Sequence, residues 1–268
     1  MEVRRRFETL ARWGHAARGA VYLLVAWLAV RAALFNQDPG DNQTALAFVA
    51  DGTTGRAMLA AIAVGLAAFG LWRGLDGLFN PQGEGRKALA RRAARIASGA
   101  AHLSLAFAAA RLALSGGSGG DAGARPQDES ARDWTGFLLQ HPLGEVAVML
   151  AGLIVLAVGA AQWVKAWRCG FMRDLGADAP PAWWLKPAGR AGYAARGVVF
   201  AMIGLFLILA GWERDPSEAG GMGQALTTLQ AQPSGPYLLG AVAVGLAMFG
   251  LFSMVQAKCR VVRSPTLA

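Results

Sequence analysis

Three long apolar stretches of the chain each end with two polar residues that lie three positions apart. Residues three apart share one face of an α-helix, so each pair would present two polar side chains in one direction. A cation beside an amide or hydroxyl group could bind an anionic solute, whereas a cation beside a carboxylate would form an ion pair. The pairs are Arg73 and Asp76, Gln162 and Lys165, and Ser253 and Gln256.

Three other apolar stretches carry a polar residue near their start. Arg18 and Arg196 occupy this position in two similar segments, GHAARG and GYAARG, and Ser98 occupies it in a more divergent segment. Together with the three pairs, these residues could form two polar layers that meet an anionic solute. The alternative is that the long side chains reach the membrane surface and anchor the helix ends there, helped by an Arg–Asp pair.

His102 lies inside an apolar stretch, seven residues beyond Arg95 and therefore about 10 Å along a helix. An imidazole at that depth could titrate near neutral pH and relay a proton. The alternative is a neutral histidine that is bonded to a carbonyl or hydroxyl group. We expect His102 to face another helix, with Ser98 or a group of that helix within hydrogen-bond reach. His15 and His141 are expected at the membrane interfaces.

The sequence contains no convincing enzyme motif. Its three His and two Cys residues are scattered and do not form a zinc or iron site. Residues 116–120 read GGSGG and match the nucleophile motif G-x-S-x-G, but the strand and helix that this motif requires are not predicted around them. No phosphate-binding or dinucleotide-binding fingerprint is present. We therefore predict a protein that is not an enzyme and that uses no cofactor or metal.

These polar residues belong to a chain that is too apolar for a typical soluble domain. Hydrophobic residues make up 54% of the 268 positions, 16% of the residues are charged, and the mean hydropathy is +0.35. Six stretches reach the ~20 residues that a membrane-spanning helix needs, and a helix satisfies its own backbone hydrogen bonds in lipid. We predict an all-α polytopic membrane protein with spans at residues 16–35, 57–79, 94–114, 143–163, 193–212 and 236–256.

A duplicated segment shows how these spans are organised. Residues 63–71 read AVGLAAFGL and residues 243–251 read AVGLAMFGL, while shifts of 80 and 89 residues place Gly99 on Gly19 and Gly159 on Gly70 in a weaker middle copy. Each copy holds two spans, so all copies insert in the same orientation. We predict one membrane domain, residues 1–268, built from three tandem parallel hairpin repeats in a pseudo-threefold bundle. The repeats comprise residues 1–85, 86–176 and 177–268.

The connections between the two spans of each repeat differ in composition. Residues 45–49 and 225–229 are apolar and correspond to each other, so we expect a short helix in each of these outer connections. Residues 115–133 are rich in glycine and polar residues, and we expect a flexible segment there.

The distribution of basic residues predicts the orientation in the membrane. Of the 26 Lys and Arg residues, 20 lie near the termini or in the two connections between repeats. Loop cations favour the cytoplasm, so we predict a membrane protein with both termini and the reduced thiols of Cys169 and Cys259 on the cytoplasmic side. The sequence pI of about 10.5 then needs no nucleic-acid partner. The expected partners are the lipid bilayer and a small solute or ion, and a homo-oligomer is compatible with the sequence.

These motifs resemble a bacterial membrane family that is catalogued as domain of unknown function 1206. The resemblance rests on the GxAARG entry to a helix, the Ala-Leu pair of the outer segment, a PxG before the trailing helix, and the GLAxFG core, and it covers nearly the whole chain. The first copy departs from it at Thr53, where the proline is replaced, and the middle copy lacks the AARG entry. The resemblance implies six spans in three two-helix units and a bacterial inner membrane. It implies no activity.

Two functional classes fit these observations. The first is a channel or carrier for a small solute or ion, with a path along the pseudo-threefold axis and the polar layers at its inner mouth. The second is a non-catalytic membrane scaffold or stress-associated accessory protein whose small residues pack the bundle shut. The direction of the polar layers separates them, because a transport path requires these side chains to face the interior of the bundle.

Overall fold

The computed structural model describes residues 2–50, 52–79, 86–115, 127–176 and 178–259. The repeat boundary at residues 81–85 and the GGSGG segment at residues 116–120 lie outside the described residues. Six long helices each contain a stretch that is long and apolar enough to cross a membrane, which confirms the six predicted spans. They are α1 (Glu2–Phe35), α3 (Gly52–Phe79), α4 (Arg86–Ser115), α6 (Gly144–Arg168), α7 (Ala182–Glu213) and α9 (Gly235–Cys259).

Three short helices lie together at one end of the bundle, which we call the capped side. The two expected short helices are present as α2 (Asn42–Val49) and α8 (Met222–Gln230). The prediction of a flexible segment over residues 115–133 was wrong for its last part, because α5 runs from Gln127 to Leu139. Two acidic residues in its first turn, Asp128 and Glu129, favour a helix start through the helix dipole.

Two carboxylates join the short helices of the capped side. Asp41 accepts hydrogen bonds from the backbone N–H groups of Gln43 and Thr44 at the start of α2, and also from the N–H of Gln127 at the start of α5. Asp128 in turn accepts from the N–H groups of Gly221 and Gln224 at the start of α8. Each carboxylate satisfies N–H groups that a helix start leaves without a partner. The three hairpins are thereby linked to one another at this end.

At the opposite end, which we call the basic side, the long helices carry most of their cations. Around the bundle, α4 contacts α3, α3 contacts α1, α1 contacts α9, α9 contacts α7, and α7 contacts α6. The most extensive contacts join the trailing helix of one hairpin to the leading helix of the next, at α3–α4, α6–α7 and α9–α1. The repeats are therefore packed mainly against one another, in an order that closes as a ring.

Glycine pairs at equivalent positions make these three contacts close. A Cβ atom on Gly99 would lie 2.8 Å from the carbonyl oxygen of Gly70, and one on Gly19 would lie 2.9 Å from that of Gly250. At the third contact, a Cβ atom on Gly159 would lie 3.0 Å from the carbonyl oxygen of Gly197. Only glycine permits such a close approach of two helix backbones. The recurrence of one pair at all three contacts is the arrangement that the pseudo-threefold prediction requires.

The middle hairpin differs from the other two, because within the described residues its helices α4 and α6 make almost no contact. In the first and third hairpins, Gly65 and Gly245 lie directly against Ala17 and Ala195 of the leading helix. The equivalent residue of the middle hairpin is Ile154, whose branched side chain would collide with a helix packed at that distance. The ring of six helices therefore has an open cleft between α4 and α6.

Candidate functional site

The two repeat-related arginines point into the bundle and not toward the membrane surface. The guanidinium of Arg18 donates hydrogen bonds to Ser253 Oγ at 3.2 Å and to Gln256 Oε1 at 2.9 Å, across the α1–α9 contact. Its Cζ atom also lies 5.0 Å from the ring centres of both Phe69 and Phe249. The structure thus brings together three of the predicted site residues, Arg18, Ser253 and Gln256. Two aromatic rings also contact the cation with their π-electron faces.

Arg196 is surrounded by aromatic rings. Its Cζ atom lies 4.4 Å from the ring centre of Phe249, 5.1 Å from that of Phe200 and 5.3 Å from that of Tyr22. Its Nε–H is buried and has no hydrogen-bond acceptor among the described residues. Aromatic faces stabilise a cation but do not neutralise it, so this guanidinium keeps its positive charge inside the bundle.

Arg18 and Arg196 also lie close to each other. Both cations contact the ring of Phe249, at 5.0 Å and 4.4 Å, so their Cζ atoms are at most about 9 Å apart. Two unit charges at this distance repel each other by about 2 kcal/mol at an effective dielectric constant of about 20. An anion bound near both of them would replace this repulsion with attraction.

The predicted pair on α6, Gln162 and Lys165, belongs to the same junction as Arg196, the contact between α6 and α7. Among the described residues, neither side chain is hydrogen-bonded to Arg196. Gln162 and Lys165 correspond to Ser253 and Gln256, the two partners of Arg18. Gln162 is buried, and its Oε1 atom has no hydrogen-bond donor among the described residues. The Nζ atom of Lys165 lies 5.9 Å from the ring of Tyr193. This junction therefore holds two cations and a buried amide oxygen without a donor. In the α1–α9 junction, Ser253 and Gln256 accept from Arg18, whose Nε–H is also buried without an acceptor among the described residues.

The third junction, between α3 and α4, contains an ion-paired network. Asp76 Oδ2 lies 3.8 Å from Arg73 Nη1 and 3.3 Å from Arg95 Nε. Arg95 was not among the predicted site residues. Ser98, which replaces the arginine of the other two repeats, accepts a hydrogen bond through its main-chain carbonyl. The three junctions are thus related by the repeat but chemically different: in one the arginine donates to neutral side chains, in one it is enclosed by aromatic rings, and in one a serine replaces it beside the Arg73–Asp76–Arg95 network.

His102 faces another helix and contacts Ser98, as expected. Its Nδ1–H donates to the Ser98 carbonyl oxygen at 2.7 Å, and its ring centre lies 4.5 Å from that of Phe69 on α3. The repeat-equivalent Tyr22 packs on Phe249 at 4.8 Å in the same way. Because an aromatic ring fills this position in another repeat, the geometry favours the interpretation of His102 as a packing residue.

His15 was expected at a membrane interface, and the structure shows that its side chain lies inside the helix bundle at that end. The side chain is completely buried, donates from Nδ1 to the Ala11 carbonyl oxygen at 2.6 Å, and packs edge-on against Phe69 at 5.1 Å. Its burial follows from the close approach of α1 and α3, because Gly14 next to it lies directly against Phe69. Apolar packing thus encloses this polar ring on both sides.

Arg18 and Arg196 form a layer with the rings of Phe69, Phe249, Tyr22 and Phe200, which we call the cation–aromatic layer. Its central residues are Phe69 and Phe249, which sequence reasoning had not selected. Both lie in the duplicated segment AVGLAxFGL, at the same position. The signal was present, because a large aromatic residue recurs there among small ones. The middle repeat has Val158 instead, so one of the three equivalent rings is missing from the layer.

A second polar feature is a cavity of about 420 Å³ on the capped side. Its walls include Asp38, Asp41, Asp128 and Arg132, with Arg132 donating to Gln224 Oε1 at 2.9 Å. Between this cavity and the cation–aromatic layer lies one apolar core, with the fully buried side chains Val25, Ala29, Leu66, Ala109 and Leu246. Among the described residues, no group of three or more His, Cys, Asp or Glu side chains is arranged to hold a metal ion.

Comparison with known proteins places this architecture in a bacterial membrane family. The family model described as Domain of Unknown Function (DUF1206) matches three segments, residues 13–80, 93–168 and 191–260. An uncharacterized protein YxxB of Bacillus subtilis (strain 168) is 29% identical over 250 residues, which cover 91% of this chain and 88% of that protein. No solved structure matches the chain at a significant level. The three matched segments agree with three repeats in a multi-pass membrane protein of a bacterium.

Proposed function

We propose that the chain, which belongs to the DUF1206 family, is a channel or carrier for small anions in the bacterial inner membrane. Both termini would lie in the cytoplasm, because cations in membrane-protein loops favour that side. The cation–aromatic layer would then form the cytoplasmic end of the path. The observation that carries the proposal is Arg196, an inward-facing guanidinium that contacts three aromatic rings and whose buried Nε–H has no hydrogen-bond acceptor among the described residues.

The physical argument is one of cost. A cation inside a membrane protein is expensive and usually marks a pathway or a paired partner. Arg196 contacts no carboxylate among the described residues, and the nearby Arg18 adds repulsion of about 2 kcal/mol. A bound anion would offset both terms.

The polar cavity on the capped side would be the other end of the path, with Arg132 as its cation beside the carboxylates of Asp38, Asp41 and Asp128. It lies at the opposite end of the bundle from Arg196 and is lined by hydrogen-bonding side chains. The apolar core between the two polar regions would act as the gate, so an anion could pass only when these side chains separate. A hydrophobic constriction of this kind can close a pore by excluding water.

The second candidate is a membrane scaffold without transport. The three glycine contacts and the continuous apolar core support it, because both favour a tightly closed bundle. The scaffold proposal differs from the anion proposal in one measurable respect. It assigns no ligand to Arg196 and expects no flux.

The test is anion flux into liposomes that contain the purified full-length chain. Chloride, nitrate and phosphate are offered in turn, with entry of chloride followed by quenching of an enclosed halide-sensitive dye and entry of the other two by ion-selective assay. We expect at least one anion to enter at least ten times faster than into protein-free liposomes. Arg196→Gln should reduce that rate at least tenfold.

Arg190→Gln is the matched control. Arg190 lies on the same helix and is exposed at the basic side, so its replacement removes the same charge without touching the cation–aromatic layer. It should keep at least half of the flux. Absence of flux for all three anions, or equal loss in both variants, would refute the anion proposal and favour the scaffold.

A further inference from the structure

We propose that the cleft between α4 and α6 binds one anionic phospholipid, with the phosphate at the basic side and an acyl chain along the cleft. This inference does not depend on anion transport or on Arg196. It starts from the helix faces that the middle hairpin leaves uncovered. Ile154 is 65% exposed, although the equivalent Gly65 and Gly245 are buried. Val158 is 37% exposed, whereas the equivalent Phe69 and Phe249 are 2% and 0% exposed.

The opposite wall of the cleft is also uncovered. Ala97 and Ala101 of α4 are exposed, although the equivalent residues of the first hairpin, Ala17 and Val21, are buried against α3. Both walls are apolar, one of small alanines and the other of branched side chains. In a bilayer, a cleft of this kind is open to acyl chains, which adapt to an irregular surface and supply the dispersion contacts that the missing helix contact would have made.

Both helices that border the cleft carry an exposed cation at the basic side. Arg91 is exposed on α4, and Arg168 is exposed in the last turn of α6. The sequence of α4 contains no acidic residue, and α6 contains only Glu145, at its other end. An anionic headgroup at this level would therefore find an exposed cation on each helix and no carboxylate of these helices. A wholly apolar partner helix would not use these cations.

The depths of these residues match a lipid of one leaflet. At 1.5 Å per residue, Arg168 lies about 36 Å and Ile154 about 15 Å from the start of α6 at Gly144. Arg91 lies about 35 Å from Leu114 near the capped end of α4. The hydrocarbon core is about 30 Å thick, so both cations fall at headgroup level and Ile154 falls near the midplane. An acyl chain that begins at the cations would reach Ile154.

The experiment measures which lipid stays with the protein. The full-length chain is reconstituted in vesicles of equal parts phosphatidylglycerol and phosphatidylcholine, transferred to mild detergent, and its bound lipids are counted by native mass spectrometry. We expect one phosphatidylglycerol per chain, retained at least five times more often than phosphatidylcholine. Arg91→Gln combined with Arg168→Gln should remove this preference.

Ile154→Trp tests the cleft itself, because a larger side chain would fill it. Leu153→Trp is the matched control, since Leu153 is exposed and its equivalents Val64 and Val244 are also exposed in the closed hairpins. We expect Ile154→Trp to lower phosphatidylglycerol retention at least fivefold and Leu153→Trp to leave it within twofold. Equal retention of the two lipids, or equal effects of the two tryptophans, would overturn the proposal.

A measurement on the unaltered chain covers the case in which a variant does not fold. Phosphatidylglycerol with a photoreactive diazirine on its acyl chain should label peptides of α4 and α6 around residues 97–101 and 154–158. Labelling spread evenly over all six spans, or a second copy of the chain cross-linked across this cleft, would also overturn the proposal. Lipid retention is measured in Arg196→Gln as well. Loss of flux with unchanged lipid retention would show that the anion proposal and the lipid proposal depend on different residues.

Discussion

Gly250 and Gly240 lie in the same helix, α9, but have different surroundings. A Cβ atom on Gly250 would lie 2.8 Å from Leu23 Cγ and 3.0 Å from the carbonyl oxygen of Gly19, whereas one on Gly240 would have nothing within 4 Å. Alanine favours a helix over glycine by about 1 kcal/mol, and both substitutions gain that amount. Only Gly250→Ala also overpacks an interface, at a cost of about 1–3 kcal/mol.

We therefore expect Gly240→Ala to stabilise the protein by up to about 1 kcal/mol and Gly250→Ala to destabilise it by up to about 2 kcal/mol. At about 2–4 °C per kcal/mol for a chain of this size, a typical difference of 2 kcal/mol separates the two melting temperatures by about 4–8 °C. The assay is thermal unfolding of both variants in one detergent, followed by circular dichroism. Equal melting temperatures, or a higher value for Gly250→Ala, would refute the assignment of this glycine to a close helix contact.

Three further predictions concern individual side chains. His102→Phe should keep the melting temperature within about 3 °C, because phenylalanine retains the contact with Phe69 and a lost hydrogen bond costs about 1 kcal/mol; any pH-dependent flux that survives in this variant excludes a proton relay through His102. Cys169 should react with a membrane-impermeant maleimide only after cells are permeabilised, and labelling of intact cells would reverse the proposed orientation; Cys259 is buried and is therefore uninformative. Asp41→Ala should lower the free energy of unfolding by about 1–3 kcal/mol, because buried N–H groups of two short helices lose their acceptor, and an unchanged denaturation midpoint would contradict that role.

The features that the sequence predicted correctly depend on local composition or on the repeat. The six spans follow from the length of each apolar stretch, and the three repeats follow from recurring positions such as Gly19, Gly99 and Gly197. The pairing of these glycines across the helix contacts was not predicted. The inward direction of Arg18 was open, because a long side chain at a helix end can reach either the interior or the membrane surface. Packing of the neighbouring helix decides between them.

The features that sequence reasoning missed depend on contacts between distant segments. The helix α5 follows a glycine-rich segment, and its first N–H is bound by Asp41, 86 residues away. The open middle hairpin was also missed, because the two consecutive spans of a repeat are ordinarily expected to touch. Its signal was the replacement of a repeated glycine by Ile154, which gains meaning only when the close contact in the other hairpins is known.

The order of contacts around the ring has a consequence for the origin of the protein. Each hairpin packs its trailing helix on the leading helix of the next, and α9 completes the series by packing on α1. A contact between unlike surfaces that closes after three copies is the contact of a cyclic trimer, so three separate copies of one hairpin could assemble through the same glycines. Joining three such copies in one chain keeps the assembly together while each copy changes independently. The asymmetry of the middle hairpin, with its own cleft and without the third arginine and phenylalanine, is a change that identical subunits could not have made one at a time.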